Sequence, residues 1–421
     1  MTDQNIKTTL DEDGILLASI DMPGRSMNVF SLAMMDALEG LLGQVENDPA
    51  IQAVVLTSGK SAFLAGADLD MIRMFTERAR TDSHAQLVDL CGRLGRLFRR
   101  LEKSPKPYVA AINGLALGGG LEVSLACHGR VAVDSPKLQL GLPEIKLGLL
   151  PGAGGTQRLP RLVGAALGLR LLLDGNPLLP QQALEAGVVD AVVSSDQLIT
   201  TAKRHALALR GQTTKPWDRP GTVFDSSGFD FGTPGAHDRI AAALGIGAQT
   251  RAHYPAYNSI MDCVVGGWHL PMDAALDWEM DVFVRLIQNP VAGNMVRTLF
   301  LNRQRASKAP AEVAQSLQSL LPPLQVTRQA AAQAGADEAA QNLAVALASA
   351  AAWATGAVPD TELADVAVVT ADLHPAYTGG PFTYLQQTGF DELTQRVAQA
   401  AQRWPALFQL PAQVEQLCRA D

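Results

Sequence analysis

Two glutamates in the middle of the chain lie beside glycine-rich turns and are the residues best placed by type and spacing to do chemistry. Three consecutive glycines, residues 118–120, open the apolar helical run LEVSLAC, whose single acid is Glu122. A second acid, Glu144, follows in the turn-like stretch GLPE, shortly before the sequence PGAGG. Because a carboxylate is costly to bury in apolar surroundings, this pattern indicates acid/base chemistry next to an anion-binding site.

The first turn of the glycine-led helix could stabilise a developing negative charge. Such a turn carries free backbone N–H groups and the positive end of the helix dipole, so the N–H of Gly119 could bind an oxyanion forming on a thioester or similar carbonyl. Glu122, three positions later, lies on the same face of the helix. The best source of a second N–H is the loop of residues 65–68. With Glu144 as the second acid, the set suits proton transfer at the α and β carbons, with water held between the two carboxyl groups.

Simpler interpretations of the same residues exist. A glycine-rich turn is usually only a turn, and a single glutamate in a helix usually lies on a solvated face. The PGAGG stretch lacks the GK[ST] ending of a phosphate-binding loop, and no GxGxxG turn fits, since one starting at Gly118 would need glycine in place of Val123. The 4 cysteines and 7 histidines show no metal-ligand spacing. We therefore expect no metal and no cofactor.

Alternating strands and helices must position these residues. Residues 14–20 and 53–59 are predicted strands, and the stretch 32–47 between them has apolar residues at helical spacing. A buried strand over 108–114 leads directly into the glycine-led helix, and residues 181–193 give a further helix–turn–strand. This alternation is typical of an α/β layer.

The sequence changes character after about residue 200. Residues 200–240 are polar and rich in proline and glycine, which indicates a linker or a surface excursion. Two helices are predicted over 253–266 and 271–289. The Ala- and Gln-rich stretch 330–357 is predicted to be helical from its composition, and its Leu/Val/Ala stripe indicates a packed helix.

Length and charge narrow the classes of protein further. At 421 residues the chain is expected to contain two or three domains. The net charge of −8 argues against nucleic-acid binding. The polar, acidic N-terminus argues against a secretory signal, and no apolar run reaches the roughly 20 residues that span a bilayer. We therefore expect a cytoplasmic protein without an integral membrane segment.

Three separated motifs resemble the crotonase, or enoyl-CoA hydratase/isomerase, superfamily. They are FLAGADLDMI, NGLALGGGLEVSLAC and GLPEIKLGLLPGAGGTQRLPRLVG, and they occur in the family's order and spacing. Within the superfamily the chain is most similar to the α-subunits of fatty-acid oxidation complexes, the multifunctional β-oxidation proteins. The resemblance implies an α/β N-terminal domain built as a crotonase-type spiral of ββα units, followed by an all-α linker and a C-terminal helical domain.

The same resemblance implies roles for individual residues. Glu122 and Glu144 correspond to the two catalytic glutamates, and Ala67 and Gly119 to the amide donors of the oxyanion hole. The resemblance also implies contacts with substrate or CoA. Ala65, Gly66 and Asp68 would lie near the adenine, and Arg25, within the PGRSMN stretch, near the pantetheine and phosphates. Pro143 is a further substrate- or CoA-binding residue by the same resemblance.

The resemblance continues beyond residue 190. The hydratase domain is expected over residues 1–192. Residues 193–309 resemble the linker helices that follow this domain in the relatives. Residues 310–421, with the GGPF turn, resemble the C-terminal domain of the 3-hydroxyacyl-CoA dehydrogenase part. The NAD-binding Rossmann domain that lies between these parts in full-length relatives has no counterpart in this sequence. The dehydrogenase activity is expected to be absent with it.

The resemblance therefore implies an enoyl-CoA hydratase, a hydro-lyase of fatty-acid β-oxidation that acts on an acyl-CoA thioester. Δ3,Δ2-enoyl-CoA isomerisation is the alternative in the same fold, although one glutamate suffices for that reaction. A third possibility is a scaffold subunit that binds a thiolase subunit or forms a homo-oligomer. The sequence does not define the acyl chain length.

Overall fold

The site region is built on β-sheets in the computed structural model, which describes residues 5–419. The strands are β1 (Ile6–Leu10), β2 (Ile15–Ile20), β3 (Ala53–Ser58), β4 (Tyr108–Ile112), β5 (Ala116–Leu117), β6 (Gly129–Val133), β7 (Leu140–Gly141) and β8 (Ala191–Val193). Within the described residues, six strands form one sheet in the order β1-β2-β3-β4-β6-β8, and β5 pairs with β7. All neighbouring pairs are parallel except β1 and β2.

The central strands have the composition of a sheet that is covered on both faces. Every residue of β3, AVVLTS, and of β4, YVAAI, is buried. Strands of a parallel sheet are continuously apolar in this way because the crossover helices lie on both faces. The predicted α/β class is confirmed.

Strand β1 was not predicted from the sequence. Only Ile6 of its five residues is buried, so the segment IKTTL has no apolar alternation to indicate a strand. It forms because its backbone pairs with β2 in antiparallel register, Lys7 opposite Ser19. Backbone pairing at a sheet edge requires little from side chains, which explains why the polar N-terminal sequence gave no signal.

Helices connect the strands and continue beyond the last one. They are α1 (Leu32–Asn47), α2 (Leu69–Arg78), α3 (His84–Glu102), α4 (Gly119–Ala126), α5 (Gly155–Val163), α6 (Ala165–Asp174), α7 (Pro180–Glu185), α8 (Leu198–Ala208), α9 (Ala236–Leu244), α10 (Ala248–His253), α11 (Pro255–Gly267) and α12 (Met272–Ile287). Ser31 begins α1 by accepting a hydrogen bond from the Met34 N–H, and Ser83 with Gln86 forms a capping box at α3.

Helices α11 and α12, predicted as linker helices, pack against the α/β part of the chain. Helix α11 contacts α5 and α6, and α12 contacts α3 and α5. The chain accordingly divides into two compact units after Gln288. The boundaries predicted after residues 192 and 309 do not coincide with this division and stay predictions about domain organisation.

The Pro/Gly-rich stretch after α8 is anchored to the α/β part rather than free. The buried ammonium of Lys215 donates to the carbonyl oxygens of Leu125 and Cys127, at 2.9 and 2.6 Å. Burial lowers the pKa of Lys215 to about 7. The short 3₁₀ helix Pro216–Asp218 follows, and its Asp218 accepts from Arg99 of α3. The linker or surface excursion predicted over residues 200–240 is irregular between α8 and α9 apart from this 3₁₀ helix, but its two ends lie within those helices. The contacts of Lys215 and Asp218 tie the irregular part to helices α3 and α4.

The second unit is helical throughout the part that the structure describes. Its elements are α13 (Pro290–Met295), a π-helix (Val296–Asn302), α14 (Arg303–Ala306), α15 (Ala311–Gln333), α16 (Glu338–Ala354), α17 (Thr361–Thr370), the 3₁₀ helix Ala376–Thr378, α18 (Pro381–Thr388), α19 (Phe390–Arg403) and α20 (Val414–Cys418). Leucine, valine and alanine side chains, with Phe382 and Phe408, form its core.

The prediction of a helix over 330–357 needs correction. The chain leaves α15 at Gln333, Gly335 adopts a left-handed φ of +76°, and Asp337 then caps α16 by accepting from the Ala340 N–H. Glycine is the residue that ends a helix in this conformation, and aspartate favours the start of the next one. The prediction missed this break because it was based on the helix propensity of the whole stretch, in which one glycine has little weight. Across residues 5–419, no helix combines the length and apolar character needed to cross a membrane.

Candidate active site

Four of the residues singled out in the sequence line one cavity of about 90 Å³ in the first unit. They are Ala67, Gly119, Glu122 and Glu144. The other lining groups are almost all apolar side chains or glycine and alanine backbone, including Phe30, Met71, Leu94, Leu150 and Phe283. An apolar cavity with a few convergent polar groups is the usual form of a small-molecule site.

The glycines at the start of α4 allow several chain segments to meet closely. Gly118 precedes the helix with a φ of +53°, and its N–H donates to the Gly141 carbonyl of β7 at 2.9 Å. A side chain at Gly120 would place its Cβ 2.3 Å from the Leu64 carbonyl oxygen. The glycine run therefore packs the helix start directly onto β7 and the loop that holds Ala67.

Backbone N–H groups of Ala67 and Gly119 are available at the cavity. The loop around Ala67 pairs with the chain before α1: the Phe30 N–H donates to Gly66 and the Asp68 N–H donates to Phe30, both at 2.8 Å. In this register the hydrogen bonds are made by the Gly66 carbonyl and the Asp68 N–H, which flank Ala67, and the N–H of Ala67 itself is not used. Within residues 5–419, neither the Ala67 N–H nor the Gly119 N–H donates a hydrogen bond. Two unused N–H groups at one cavity can form an oxyanion hole.

Glu122 is held as a hydrogen-bond acceptor inside the protein. The residue is buried, and its Oε1 accepts from the N–H groups of Ala153 and Gly155 at 2.8 and 2.9 Å. Burial raises the pKa of this carboxyl above its ordinary value, and the two N–H groups partly offset that rise by favouring the charged form. The fixed acceptor position suits a carboxylate that orients a water molecule.

Glu144 has a different environment. It begins the 3₁₀ helix Glu144–Leu147, directly after β7 and Pro143. Other atoms of the residue are partly accessible, but its Oε2 is buried and has no hydrogen-bond partner among the described residues. Burial, followed by the negative charge of Glu122, raises the pKa of Glu144 well above its usual value. Two carboxyl groups with different surroundings are the arrangement that gives one acid and one base.

A third buried carboxyl, Glu279 of α12, was missed in the sequence. Its Oε1 accepts from the Gly154 N–H at 2.6 Å, and its Oε2 accepts from the Thr156 N–H at 3.0 Å and from the Thr156 hydroxyl. Burial and then the charge of Glu122 raise its pKa to about 8. The one available signal was its position on the apolar stripe of α12, four residues before Phe283, where an acid is unexpected.

A buried ion pair supports the same loop. Arg158 of α5 donates through Nε and Nη2 to the carboxylate of Glu102 at 2.9 and 3.1 Å, and both side chains are fully buried. Its Nη1 also donates to the Ala153 carbonyl at 2.8 Å. The charge of Arg158 is thus neutralised inside the protein while one of its N–H groups fixes the loop that contacts Glu122.

The residues predicted to contact CoA are close along the chain to residues that line the cavity, but they do not line it themselves. Asp68 caps α2, accepting from the Asp70 N–H at 2.9 Å, and pairs with Arg25. Ala65 donates its N–H to the Asn28 carbonyl at 2.9 Å, beside Gly66. Pro143 immediately precedes the Glu144 helix. Their contacts with CoA stay predictions. No cluster of three or more His, Cys, Asp or Glu side chains suited to a metal ion occurs in the described part of the chain.

Comparison with known proteins identifies the family of this region. Residues 12–214 match the family model described as enoyl-CoA hydratase/isomerase. The chain is 37% identical over 305 residues to the fatty acid oxidation complex subunit alpha of Idiomarina loihiensis, a match that covers 72% of this chain and 41% of that protein. The chain thus spans about two fifths of the length of the curated relatives that it matches.

Solved structures similar to this chain include two that cover nearly all of the compared protein. The enoyl-CoA hydratase of Bacillus anthracis is 28% identical, with a TM-score of 0.43 over 72% of this chain and 97% of that one. The human mitochondrial delta3-delta2-enoyl-CoA isomerase is 24% identical, with a TM-score of 0.49 over 73% of this chain and 100% of that one. On the family match and the identity to curated relatives, residues 12–214 belong to the enoyl-CoA hydratase/isomerase family, the crotonase superfamily.

Proposed function

We propose that this chain is an enoyl-CoA hydratase that adds water to a trans-2-enoyl-CoA and forms a 3-hydroxyacyl-CoA in fatty-acid oxidation. The observation that carries this proposal is the meeting of two shielded carboxyl groups, Glu122 and Glu144, with two unused N–H groups at one apolar cavity. Hydration needs one group to take a proton from water and another to give a proton to carbon. It also needs donors for the thioester oxygen, whose negative charge grows in the transition state.

In the proposed reaction, the thioester oxygen accepts hydrogen bonds from the Ala67 and Gly119 N–H groups. Glu122, held as a carboxylate, accepts a proton from water as the water oxygen bonds to the β carbon. Glu144, whose carboxyl is more readily protonated, gives its proton to the α carbon. The carbon–carbon double bond is thereby consumed, and one proton has been taken from water and one given to the substrate. Proton exchange between the two carboxyl groups restores the starting state.

The direct test is a scan of trans-2-enoyl-CoA substrates from C4 to C16 with the purified chain. We expect loss of the conjugated-thioester absorbance and accumulation of 3-hydroxyacyl-CoA, with catalysis of the reverse dehydration as an internal control. We expect no NAD reduction when 3-hydroxyacyl-CoA and NAD are supplied together, because the sequence has no GxGxxG turn. Failure to hydrate any of these substrates would contradict the proposed function.

Δ3,Δ2-enoyl-CoA isomerisation is a second candidate, supported by the asymmetry between the two glutamates. Glu122 is committed to two N–H groups, whereas Glu144 has a carboxyl oxygen without a partner in the described residues. A single mobile carboxyl suffices to move a proton between carbons. Assays of 3-enoyl-CoA against 2-enoyl-CoA separate the two reactions, and a rate with 3-enoyl-CoA alone would favour isomerisation.

Phe283 is expected to limit the length of the acyl chain. Its ring lines the cavity and lies so close to Gly152 that a Cβ there would be 3.0 Å from Cδ2 of the ring. In Phe283→Leu we expect kcat/KM for C8 relative to C4 substrate to rise by about 10-fold, since methylene-sized differences in an apolar pocket are worth about 1–3 kcal/mol. Phe229→Leu, outside the cavity lining, is the matched control. An unchanged C8/C4 ratio in Phe283→Leu would show that the acyl group lies elsewhere.

A partner-binding role is a further proposal, based on the name of the curated relatives, which are subunits of a fatty acid oxidation complex. The partner would be a thiolase subunit or a second copy of this chain. Mass measurement by light scattering, with and without a candidate thiolase, separates these states. A scaffold without activity would leave both enoyl-CoA assays blank while still binding the partner.

A further inference from the structure

The segment of residues 153–156, which ends the loop before α5 and begins that helix, is bound from two sides by carboxylates. Of its four consecutive N–H groups, those of Ala153 and Gly155 donate to Glu122, at 2.8 and 2.9 Å. Those of Gly154 and Thr156 donate to Glu279, at 2.6 and 3.0 Å. Alternate N–H groups thus point to two different acids, one from α4 and the other from α12.

The contacts of Glu279 are needed to provide hydrogen-bond acceptors for the buried donors of Gly154 and Thr156. Thr156 is 1% exposed and Glu279 is 1% exposed, so water does not replace the carboxylate as acceptor. A buried donor that loses its acceptor costs about 1–3 kcal/mol, and Glu279 serves three donors at once. Gly154 also has a left-handed φ of +99°, a conformation that the surrounding contacts must maintain. The position of the Glu122 carboxylate therefore depends on both faces of the loop.

We propose that Glu279 is a positioning residue for Glu122: it fixes the segment of residues 153–156 from the side opposite the reacting groups. This inference rests on the proposed hydration reaction. It assigns a role in the site to a helix that lies outside the family match of residues 12–214. Glu279 acts through the loop and does not line the cavity.

The charge of Glu279 acts together with other groups around it. The titratable and charged groups facing it from neighbouring elements are Glu122 of α4, Glu144, Arg158 and Arg161 of α5, and Cys263 of α11. Burial raises the pKa of Glu144 most, the charge of Glu122 raises it further, and the charge of Glu279 adds to the rise. Glu279 carries this charge only above its own pKa of about 8. In that alkaline range its removal lowers the pKa of Glu144, so activity that requires protonated Glu144 is lost at a lower pH.

The test is Glu279→Gln, which preserves the size of the side chain and one acceptor oxygen. We expect kcat for crotonyl-CoA hydration to fall by about 10- to 100-fold with KM within about 3-fold, since displacing a catalytic group by about 1 Å costs up to about 100-fold. The alkaline limb of the kcat profile should move to lower pH. Asp273→Asn is the matched control, because it removes a charge from the exposed side of the same helix, where Asp273 pairs with Arg99 and Lys103. It should leave both kcat and the limb unchanged.

Hydrogen exchange gives a readout that does not depend on substrate. Peptides covering residues 153–156 should exchange faster in Glu279→Gln than in the wild type and in Asp273→Asn. A wild-type pH limb in Glu279→Gln, or unchanged exchange in this loop, would overturn the positioning role even if kcat fell. If the wild type hydrates no enoyl-CoA, the proposed function fails, and the exchange rates still decide whether Glu279 fixes the loop.

Discussion

Glu144→Gln is expected to lower the turnover of crotonyl-CoA hydration by about 10²–10⁴-fold while the protein stays folded. The Oε2 of Glu144 is buried without a partner among the described residues, and the pKa of its carboxyl is raised by burial and by the charge of Glu122. Both effects favour the protonated form of this carboxyl, which is the form that can deliver a proton. A glutamine amide has nearly the same shape but cannot act as a proton donor of comparable acidity.

The matched variant is Glu122→Gln, which should show a loss of similar size for a different reason. Its amide oxygen can still accept from both loop N–H groups, since both donate to the single oxygen Oε1, but the amide cannot take a proton from water. Stopped-flow or steady-state hydration rates, together with the melting temperatures of both variants, provide the measurement. Wild-type turnover in either variant would contradict the assignment of that glutamate. A loss confined to Glu144→Gln would favour isomerase-type chemistry with one mobile proton.

Glu102→Leu is expected to destabilise the first unit by about 3–5 kcal/mol, because it leaves the guanidinium of Arg158 buried without its counter-charge. Urea unfolding at neutral pH measures this change. The matched control is Glu46→Gln, which breaks an exposed pair with Arg100 and should cost about 0.2–1 kcal/mol. The double variant Glu102→Leu/Arg158→Met should recover much of the loss, since the Arg158 charge is then no longer buried without its partner. Equal costs for the buried and the exposed pair would contradict this account.

The same ion pair predicts how stability depends on pH. Burial alone would raise the pKa of Glu102, but the charges of Arg158, Lys215 and Arg99 outweigh burial and hold it below its ordinary value. The folded protein therefore binds this proton less readily than the unfolded chain does. The stabilisation is fully present above the unfolded value of about 4.3 and is lost as the pH falls through the lower folded value. Glu102→Leu should remove this part of the acid sensitivity.

The sequence predicted that Gly119 and Glu122 lie together because their relation follows from local rules, whereas the assignment of Ala67 and Glu144 to the same site rested on the resemblance to the crotonase superfamily. A glycine-led helix start offers N–H groups, and an acid three residues later lies on the same face. Strands and helices of the α/β part were also recognisable from apolar periodicity. These features are encoded within short stretches, and the structure places the four residues at one cavity.

Glu279 and Phe283 could not be found in this way. Their relation to the loop of residues 153–156 depends on how α12 packs against α3 and α5, which no short stretch specifies. Strand β1 was missed because its stability comes from backbone pairing, and the break at Gly335 was missed because one residue outweighed the propensity of many. In each case a contact between distant segments, or a single backbone conformation, decided the outcome.

The packing of α12 has a practical consequence for protein engineering. A fragment cut at residue 214, where the family match ends, would keep both proposed catalytic glutamates and both oxyanion donors yet lose the acceptor for the Gly154 and Thr156 amides and one wall of the cavity. A transplantable module must therefore run to Gln288, the end of the first unit. Recombining this chain with foreign partners at the shorter boundary would yield a fragment that keeps its motifs but lacks part of the support of the proposed site.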